Sequence, residues 1–254
     1  MPNFSVCIEM IFRQDDLSFE DRIAKVAETD APAVEFWGPQ GKDIEAIARA
    51  TQAHGLEVAA FSGSPQSIVD PAVKEAFVAD IKEAAQIATQ LNSPGCLKTT
   101  GQAREGVDRA EQHKAIVKAL RAAVPVLEDS GLKLYLEPLN TVVDHKGYYL
   151  ETSAEGFEIL REVDSPAVRL LYDIYHQQIT EGNIIQTIEE NIDLIGHFHM
   201  ADVPGRHEPG TGELNYANIF KRIDALGYEG YVGMEFKPTI DHAEAVKRTM
   251  GLAG

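Results

Sequence analysis

The 254-residue chain contains little cysteine and no long apolar run. Its two cysteines, Cys7 and Cys96, each lie inside an apolar stretch, so no disulfide framework is expected. No apolar run approaches the roughly 20 residues that a helix needs to cross a bilayer. The N-terminal segment does not resemble a signal peptide. We therefore expect a cytoplasmic protein with no membrane partner, folded without disulfide bonds.

Positive charge is also scarce in this chain. It carries 23 Lys and Arg against 40 Asp and Glu, which gives a formal net charge of −17 at pH 7. Nucleic-acid binding draws its affinity from clustered Lys and Arg that displace counterions from the phosphate backbone. The composition therefore argues against DNA or RNA as a partner and favours a small molecule. A homo-oligomer is an open alternative to a monomer.

Short strand-like apolar runs alternate with longer helix-like runs along the whole chain. The strand-like runs number eight and span residues 5–12, 33–38, 57–63, 95–100, 133–139, 168–173, 195–202 and 231–236. Residues 43–54 and 71–91 repeat apolar side chains at helical spacing, and so do residues 113–127, where Pro125 interrupts the pattern. This alternation predicts a single (β/α)₈ TIM barrel that forms one domain over residues 1–254.

The alternative fold is an open, doubly wound sheet, which normally has a Gly-rich phosphate-binding turn after its first strand. Here the first strand is followed by RQDDLSFED, residues 13–21, which contains no glycine. No Pro-, Gly- or Ser-rich linker divides the chain into two parts. Both observations favour the closed barrel.

Four successive strands of the expected barrel end with a side chain that can bind a metal: Glu137, Asp173, His199 and Glu235. They are separated by 36, 26 and 36 residues, about one strand–helix unit each. The carboxyl ends of barrel strands meet at one face, where active sites collect. Four ionisable groups converging there would carry a heavy desolvation and repulsion cost, which a divalent cation removes. The oxygen-rich set suits Mg²⁺ or Mn²⁺, with Zn²⁺ as an alternative.

Two further groups follow these candidate ligands closely. His176 comes three residues after Asp173, in the loop expected to leave the sixth strand, and Arg206 comes seven residues after His199. An arginine in a loop bounded by glycine and proline can present its planar guanidinium to a substrate carboxylate. Lys98, at the end of the fourth strand, is the only comparable cation.

The remaining ionisable groups near His199 are expected to have other roles. His197 has the same parity but lies deeper, which favours packing, or a contact behind the ligands, over ligation. His207, Glu208 and Glu213 are interpreted as loop polarity and charge at the start of a helix. Asn215 is expected to cap the helix that begins near Tyr216.

Four motifs surround the candidate ligands: LEPLNT around Glu137, LLYDIYHQQITEGN around Asp173, GHFHMADVPGRHEPGTGELNY around His199, and GMEFKP at Glu235. These motifs resemble the hydroxypyruvate isomerase family, which belongs to the xylose isomerase-like barrels. The resemblance extends from about residue 130 to residue 240, and its most specific piece is VPGRHEP followed by GELNY.

The resemblance implies that Glu137, Asp173, His199 and Glu235 bind one divalent metal ion. It also implies that Glu137 and Glu235 act as acid and base, while His176 and Arg206 contact the substrate. The chain departs from related barrels at two places. Ketohexose epimerases carry a substrate-binding Glu near the position of Val143, and hydroxypyruvate isomerases tend to have Gln in place of His199.

The implied reaction is the isomerisation of hydroxypyruvate to tartronate semialdehyde through an enediolate. Close alternatives are an isomerase of 2-oxo-tetronate-type acids and a ketose 3-epimerase. An endonuclease-like phosphodiesterase is disfavoured by the net charge of −17. A barrel that binds a sugar acid without catalysis is the alternative from another functional class.

Overall fold

A computed structural model of the chain describes residues 2–13 and 17–254. Its strands form a closed barrel in the order β1 to β8, and β8 pairs in parallel with β1, so that Phe4 lies opposite Val232. The (β/α)₈ barrel is confirmed, and the open sheet is wrong. The strands are β1 Asn3–Cys7, β2 Ala33–Phe36, β3 Glu57–Ser62, β4 Gly95–Thr99, β5 Lys133–Glu137, β6 Val168–Asp173, β7 Ile195–Met200 and β8 Tyr231–Met234.

Helices connect the strands. They are α1 Phe19–Ala27, α2 Ile44–His54, α3 Lys74–Leu91, α4 Arg109–Ser130, α5 Ser153–Val163, α6 Ile174–Thr180, α7 Ile184–Asn191, α8 Tyr216–Ala225 and α9 His242–Gly251, with 3₁₀ turns at Pro71–Val73 and Ile192–Leu194. Asn215 caps α8 as expected, because its side chain accepts from the backbone N–H of Asn218. Within the described ranges, no helix is long and apolar enough to cross a membrane.

Two features of the predicted elements were wrong. β1 ends at Cys7 rather than at residue 12, because the N–H groups of Met10 and Ile11 turn back to the Cys7 carbonyl. Pro125 lies inside α4 instead of interrupting it. A proline removes one backbone hydrogen bond, and the buried apolar face of this 22-residue helix is long enough to continue past it. Of the glycine-free segment after β1, residues 14–16 lie outside the described residues.

The alternation of side chains along the strands divides the core into two parts. The larger part packs the outward faces of the strands against the helices. The smaller part contains strand residues alone, Ala60, Leu97, Tyr135 and Leu171, and lies inside the barrel on β3 to β6. Because inward positions recur every second residue, the next layer toward the strand ends consists of Ser62, Thr99, Glu137 and Asp173. We call the four apolar residues the plug, and the polar layer directly above them forms the mouth of the barrel.

Tyr135 fits into the plug because two glycines face its ring. A Cβ at Gly196 would lie 2.6 Å from the ring, and a Cβ at Gly95 would overlap it as well. On its other side the ring stacks on the imidazole of His197, with centroids 5.5 Å apart. The glycines of β4 and β7 thus make room for the largest side chain in the plug.

We predict that Gly196→Ala lowers the free energy of unfolding by about 1–3 kcal/mol, because the added methyl group overpacks a closed core. Chemical denaturation measures the change. Gly251→Ala is the matched control, since no atom lies within 4 Å of a Cβ built there. A loss at Gly196 no larger than at Gly251 would mean that the ring of Tyr135 has room to move.

Candidate active site

The four candidate ligands meet in the mouth of the barrel. One ligand atom from each of Glu137, Asp173, His199 and Glu235 can be chosen so that all lie within 4.8 Å of one another. All four residues are buried. Glu137, Asp173 and His199 are inward positions of β5, β6 and β7, and Glu235 follows the end of β8. The structure therefore brings together residues that are up to 98 positions apart in the sequence.

The two carboxylate oxygens of Asp173 have different contacts. Its Oδ1 accepts from the backbone N–H groups of Tyr175 at 2.8 Å and His176 at 3.3 Å, which caps the start of α6. Its Oδ2 faces the site, 3.8 Å from a guanidinium nitrogen of Arg206. Burial raises the pKa of Asp173 above its ordinary value, although Arg206 and His199 oppose this shift. A cation near Oδ2 would offset that cost.

His199 presents one ring nitrogen to the carboxylates. Its Nδ1 lies 3.4 Å from Oε2 of Glu235 and 3.7 Å from Oε1 of Glu137. This buried nitrogen has no hydrogen-bond partner within the part of the chain that the structure describes. An unpartnered buried nitrogen that faces two carboxylates fits a metal ligand, because a cation would satisfy all three groups.

The donor set also fits a divalent cation by charge. Three carboxylates and one imidazole surround the common point, and Arg206 contributes one positive charge at the edge. Oxygen-rich sites of this kind suit Mg²⁺ and Mn²⁺, and Zn²⁺ also accepts carboxylate and imidazole ligands. The site is a buried cluster of side chains that can hold a metal ion.

Arg206 reaches into the site from the loop after β7. Its guanidinium donates to Oε2 of Glu235 at 2.5 Å and lies over the ring of Tyr175, 5.0 Å from the centroid. Its backbone has a φ of 59°, a left-handed conformation that is uncommon outside glycine. This conformation is held on both sides, since its N–H donates to the Asp202 carbonyl and its carbonyl accepts from Lys237.

The side chain of Asp202 organises the whole loop that carries Arg206. Its Oδ1 accepts from the N–H groups of Val203 and Leu214 at 2.9 and 3.1 Å. Its Oδ2 accepts from Gly210 and Gly212 at 2.8 and 2.9 Å. A Cβ at Gly212 would collide with the Val203 carbonyl. The buried carboxylate of Asp202 thus satisfies backbone N–H groups in the 15-residue connection between β7 and α8, which has no regular secondary structure to do so.

His176 lies on α6 and is fully buried, so its expected place in an open loop was wrong. Its Nδ1 accepts from the side-chain amide of Asn140 at 2.6 Å and from the Asn140 backbone N–H at 3.3 Å. Burial, with Arg206 nearby, lowers the pKa of His176 to about 3. The imidazole is therefore neutral, with its proton on Nε2. That nitrogen lines the site and has no hydrogen-bond partner among the described residues.

Sequence reasoning missed two residues that contact the site. Trp37, the single tryptophan, donates from its indole N–H to Oε1 of Glu235 at 3.0 Å, although its side chain is 39% exposed. Glu35 is buried on β2, where it contacts His197 and His199 through nitrogen–oxygen distances of 2.9 and 3.0 Å. A lone acidic residue in the apolar run AVEFWG was the only available signal for Glu35.

His197 packs behind the ligands, as its depth in the strand suggested, stacked on Tyr135 and bonded to Glu35. Glu208 was wrongly interpreted as simple loop polarity. It is buried, and it accepts from the N–H of Thr239 at 2.8 Å, which ties the Arg206 loop to the segment after β8. The ammonium group of Lys98 donates to the carbonyls of Ser64 and Gln66.

A cavity of about 210 Å³ opens above the cluster. Its lining includes Glu137, His176, His199, Arg206 and Glu235, together with Trp37, His145, Tyr148 and several residues of β3 and β4. Sites for drug-sized ligands are larger, about 300–1,000 Å³. The volume therefore suits a compact molecule of a few carbon atoms. Val143 is 65% exposed and does not belong to this lining.

Comparison with known proteins agrees with the fold. Residues 23–251 match the family described as Xylose isomerase-like TIM barrel, and the chain belongs to that family. It is 31% identical to the 2-oxo-tetronate isomerase of Cupriavidus necator over 246 residues, and also 31% identical to the hydroxypyruvate isomerase of Escherichia coli over 246 residues. Each alignment covers 94% of both proteins. The chain is thus an isomerase.

A solved structure gives the same fold over the full length. The crystal structure described as AP endonuclease, family 2, from Brucella melitensis superposes with a TM-score of 0.92 at 28% identity. The superposition covers 99% of each chain. The resemblance to xylose isomerase-like barrels that the motifs indicated is confirmed.

We predict that Asp202→Asn loosens the Arg206 loop, because the amide nitrogen of Asn cannot accept a hydrogen bond. The free energy of unfolding should fall by at least about 1.5–3 kcal/mol, the value of one hydrogen bond to a charged group. Amide hydrogen exchange at Gly210 and Gly212 should accelerate. Asp129→Asn, at an exposed position of α4, is the control. Unchanged exchange at both glycines would contradict the role assigned to Asp202.

Proposed function

We propose that this protein is a metal-dependent isomerase of a small hydroxy-oxo acid, and that it converts hydroxypyruvate to tartronate semialdehyde. The observation that carries the proposal is the buried cluster of Glu137, Asp173, His199 and Glu235 under a cavity of about 210 Å³. When bound by these four side chains, a divalent cation would stabilise the negative charge that develops on the substrate oxygens.

The reaction moves a carbonyl group by one carbon and requires no external oxidant. A proton leaves C3 of hydroxypyruvate, a proton is added to C2, and the hydroxyl proton passes from O3 to O2. The product has the same composition as the substrate, with the aldehyde at C3 and the hydroxyl at C2. The reaction therefore needs acid–base groups that take a proton from C3, supply one to C2 and allow the hydroxyl proton to move from O3 to O2.

Glu235 and Glu137 are the groups proposed for this work. Arg206, at 2.5 Å, and His199 hold the pKa of Glu235 well below its usual range, although burial alone would raise it. Glu235 is therefore ionised and can accept the proton. Glu137 approaches His199 from β5 and is proposed to complete the proton transfer. Trp37 holds Oε1 of Glu235 in place.

His176 and Arg206 are proposed to bind the substrate. The imidazole of His176 is neutral at neutral pH, since its pKa is about 3, and its Nε2–H can donate a hydrogen bond to a substrate oxygen. Arg206 lines the cavity beside three carboxylates, and Lys98 lines it from β4. A substrate carboxylate there would meet a planar guanidinium with donors on one side.

The substrate class is also supported by the relatives, which are named hydroxypyruvate isomerase and 2-oxo-tetronate isomerase at the same identity of 31%. An acid of 2-oxo-tetronate type is therefore the second candidate substrate. A ketose 3-epimerase is less well supported, because the position of its substrate-binding Glu is taken by the exposed Val143. A barrel that binds a sugar acid without metal would leave three buried carboxylates to be compensated by Arg206 and His199 without a divalent cation.

We expect the purified protein, loaded with Mn²⁺ or Mg²⁺, to convert hydroxypyruvate to tartronate semialdehyde and to lose this activity after chelation. In ²H₂O, NMR of the product should show deuterium on carbon. Glu235→Gln should abolish turnover, because an amide cannot shuttle a proton. Since the change also alters a proposed ligand, bound metal is measured in the same samples.

Glu229→Gln, an exposed substitution, is the control and should keep full activity. Near-normal turnover by metal-loaded Glu235→Gln would remove Glu235 from acid–base catalysis. Activity that survives complete removal of metal would overturn the metal-dependent mechanism. If hydroxypyruvate is inert, a panel of 2-oxo-tetronate-type acids and ketoses decides among the other candidates.

Arg206→Lys tests how the substrate is held. Lysine keeps the charge but loses the bidentate guanidinium, so kcat/KM for an oxo acid should fall by about 1.5–3 kcal/mol in transition-state stabilisation. Metal content should stay unchanged, because Arg206 is not a proposed ligand.

The comparison that decides is between an oxo acid and an uncharged ketose of similar size. A larger loss for the acid identifies Arg206 as the partner of the substrate carboxylate. Equal losses for both compounds would instead assign Arg206 to the enediolate oxygen. Unchanged kinetics for both would exclude it from substrate binding.

A further inference from the structure

We infer that Glu35 is a positioning residue for His199, which fixes the imidazole so that Nδ1 is the nitrogen available to a metal ion. The inference rests on the proposed metal site, since it concerns how one of its ligands is held. Glu35 is not one of the four candidate ligands and does not line the cavity. It lies on β2, across the barrel from His199 on β7.

The two oxygens of Glu35 have different partners. Oε2 accepts from the hydroxyl of Ser5 at 2.8 Å and lies 2.9 Å from Nε2 of His197. Oε1 lies 3.0 Å from Nε2 of His199, at hydrogen-bond distance but outside the angular range of a good hydrogen bond. One oxygen therefore anchors the carboxylate in the barrel, and the other faces the ligand histidine.

The Oε1–Nε2 contact is enclosed. Both side chains are almost fully buried, and neither atom has a hydrogen-bond partner among the described residues. Each atom thus depends on the other for electrostatic compensation, because a buried charge or ring N–H without a counterpart is costly. This mutual dependence holds the plane of the His199 ring.

Gly233 provides the space for this pair. It lies opposite His199 in the pairing of β7 with β8. A Cβ at this position would overlap the carboxylate of Glu35 and lie 2.7 Å from Cδ2 of His199. Glu35 and His199 occupy the space that a side chain at Gly233 would take. The barrel thus leaves space for the contact.

The contact selects the nitrogen that faces the ligands. A carboxylate beside Nε2 favours the proton on that nitrogen, which leaves the lone pair on Nδ1. Nδ1 is the atom that lies 3.4 Å from Glu235 and 3.7 Å from Glu137. The negative charge of Glu35 also makes the imidazole a stronger donor to a cation. Glu35 would therefore act on metal affinity without touching the metal.

A different use of the same residues would be a second metal site, since Glu35, His197 and His199 also lie within ligand distance of one another. We favour the positioning role because the nitrogen–oxygen distances, 2.9 and 3.0 Å, are those of hydrogen-bonded or directly paired groups. A cation between these atoms would have to separate them. The stoichiometry of metal binding distinguishes the two uses.

The test is Glu35→Gln, which keeps the size of the side chain and removes its charge. Mn²⁺ is titrated into the metal-free protein by calorimetry, and the fluorescence of Trp37, which contacts Glu235, gives a second reading at the site. The dissociation constant should rise by about 10- to 100-fold, the usual effect of removing a group that orients a ligand. The unaltered protein and the variant should each bind one Mn²⁺ ion per chain.

Ser5→Ala is the matched control, because it removes a hydrogen bond to the anchoring oxygen and leaves the Glu35–His199 contact in place. Its Mn²⁺ affinity should stay close to that of the unaltered protein. The thermal stability of both metal-free variants is measured as well, because a purely structural role would lower stability without a selective loss of affinity. If Glu35→Gln does not fold, Glu35→Asp, which withdraws the carboxylate from His199, should show the same loss.

An unchanged affinity in Glu35→Gln, or an equal loss in Ser5→Ala, would overturn the inference and leave the proposed metal site intact. Two Mn²⁺ ions per unaltered chain, with one lost in Glu35→Gln, would overturn it in favour of a second site. If the unaltered protein binds no Mn²⁺, the proposed function fails together with the inference that rests on it.

Discussion

The mouth of this barrel concentrates negative charge where water is scarce. Glu35, Glu137, Asp173 and Glu235 are all buried around His199. Like charges at such distances repel strongly at low effective dielectric, and each one also loses hydration. Most features of the site compensate for this cost. They include the guanidinium of Arg206, the indole of Trp37, the N-terminus of α6 and the fit to a divalent cation.

The position of these carboxylates follows from the layers of inward-facing side chains along the strands. Apolar inward side chains close the barrel, with Tyr135 fitted between Gly95 and Gly196. Two residues further along the strands, the inward positions become polar, and Glu137 and Asp173 lie close together above these apolar residues.

Rigidity in the loops comes from polar side chains instead of apolar packing. The carboxylate of Asp202 accepts hydrogen bonds from backbone N–H groups at both ends of the loop after β7, and Glu208 joins that loop to the segment after β8. These contacts hold Arg206 in its left-handed conformation beside Glu235. An arginine on an exposed loop would otherwise lose much of the free energy of its contacts to conformational entropy.

The sequence by itself determined the strand count, the closed barrel and the four candidate ligands. Strand alternation has a period of two residues, and one ligand-competent side chain recurs per strand–helix unit, so both signals are local. Tertiary structure alone decided which further groups contact the candidate ligands and the residues behind them. Glu35 meets His197 across 162 positions and Trp37 meets Glu235 across 198, distances at which no periodicity operates. The contact of His176 with Asn140 and the hydrogen bond from the Lys237 N–H to the Arg206 carbonyl likewise depend on the closed barrel, which brings these residues together.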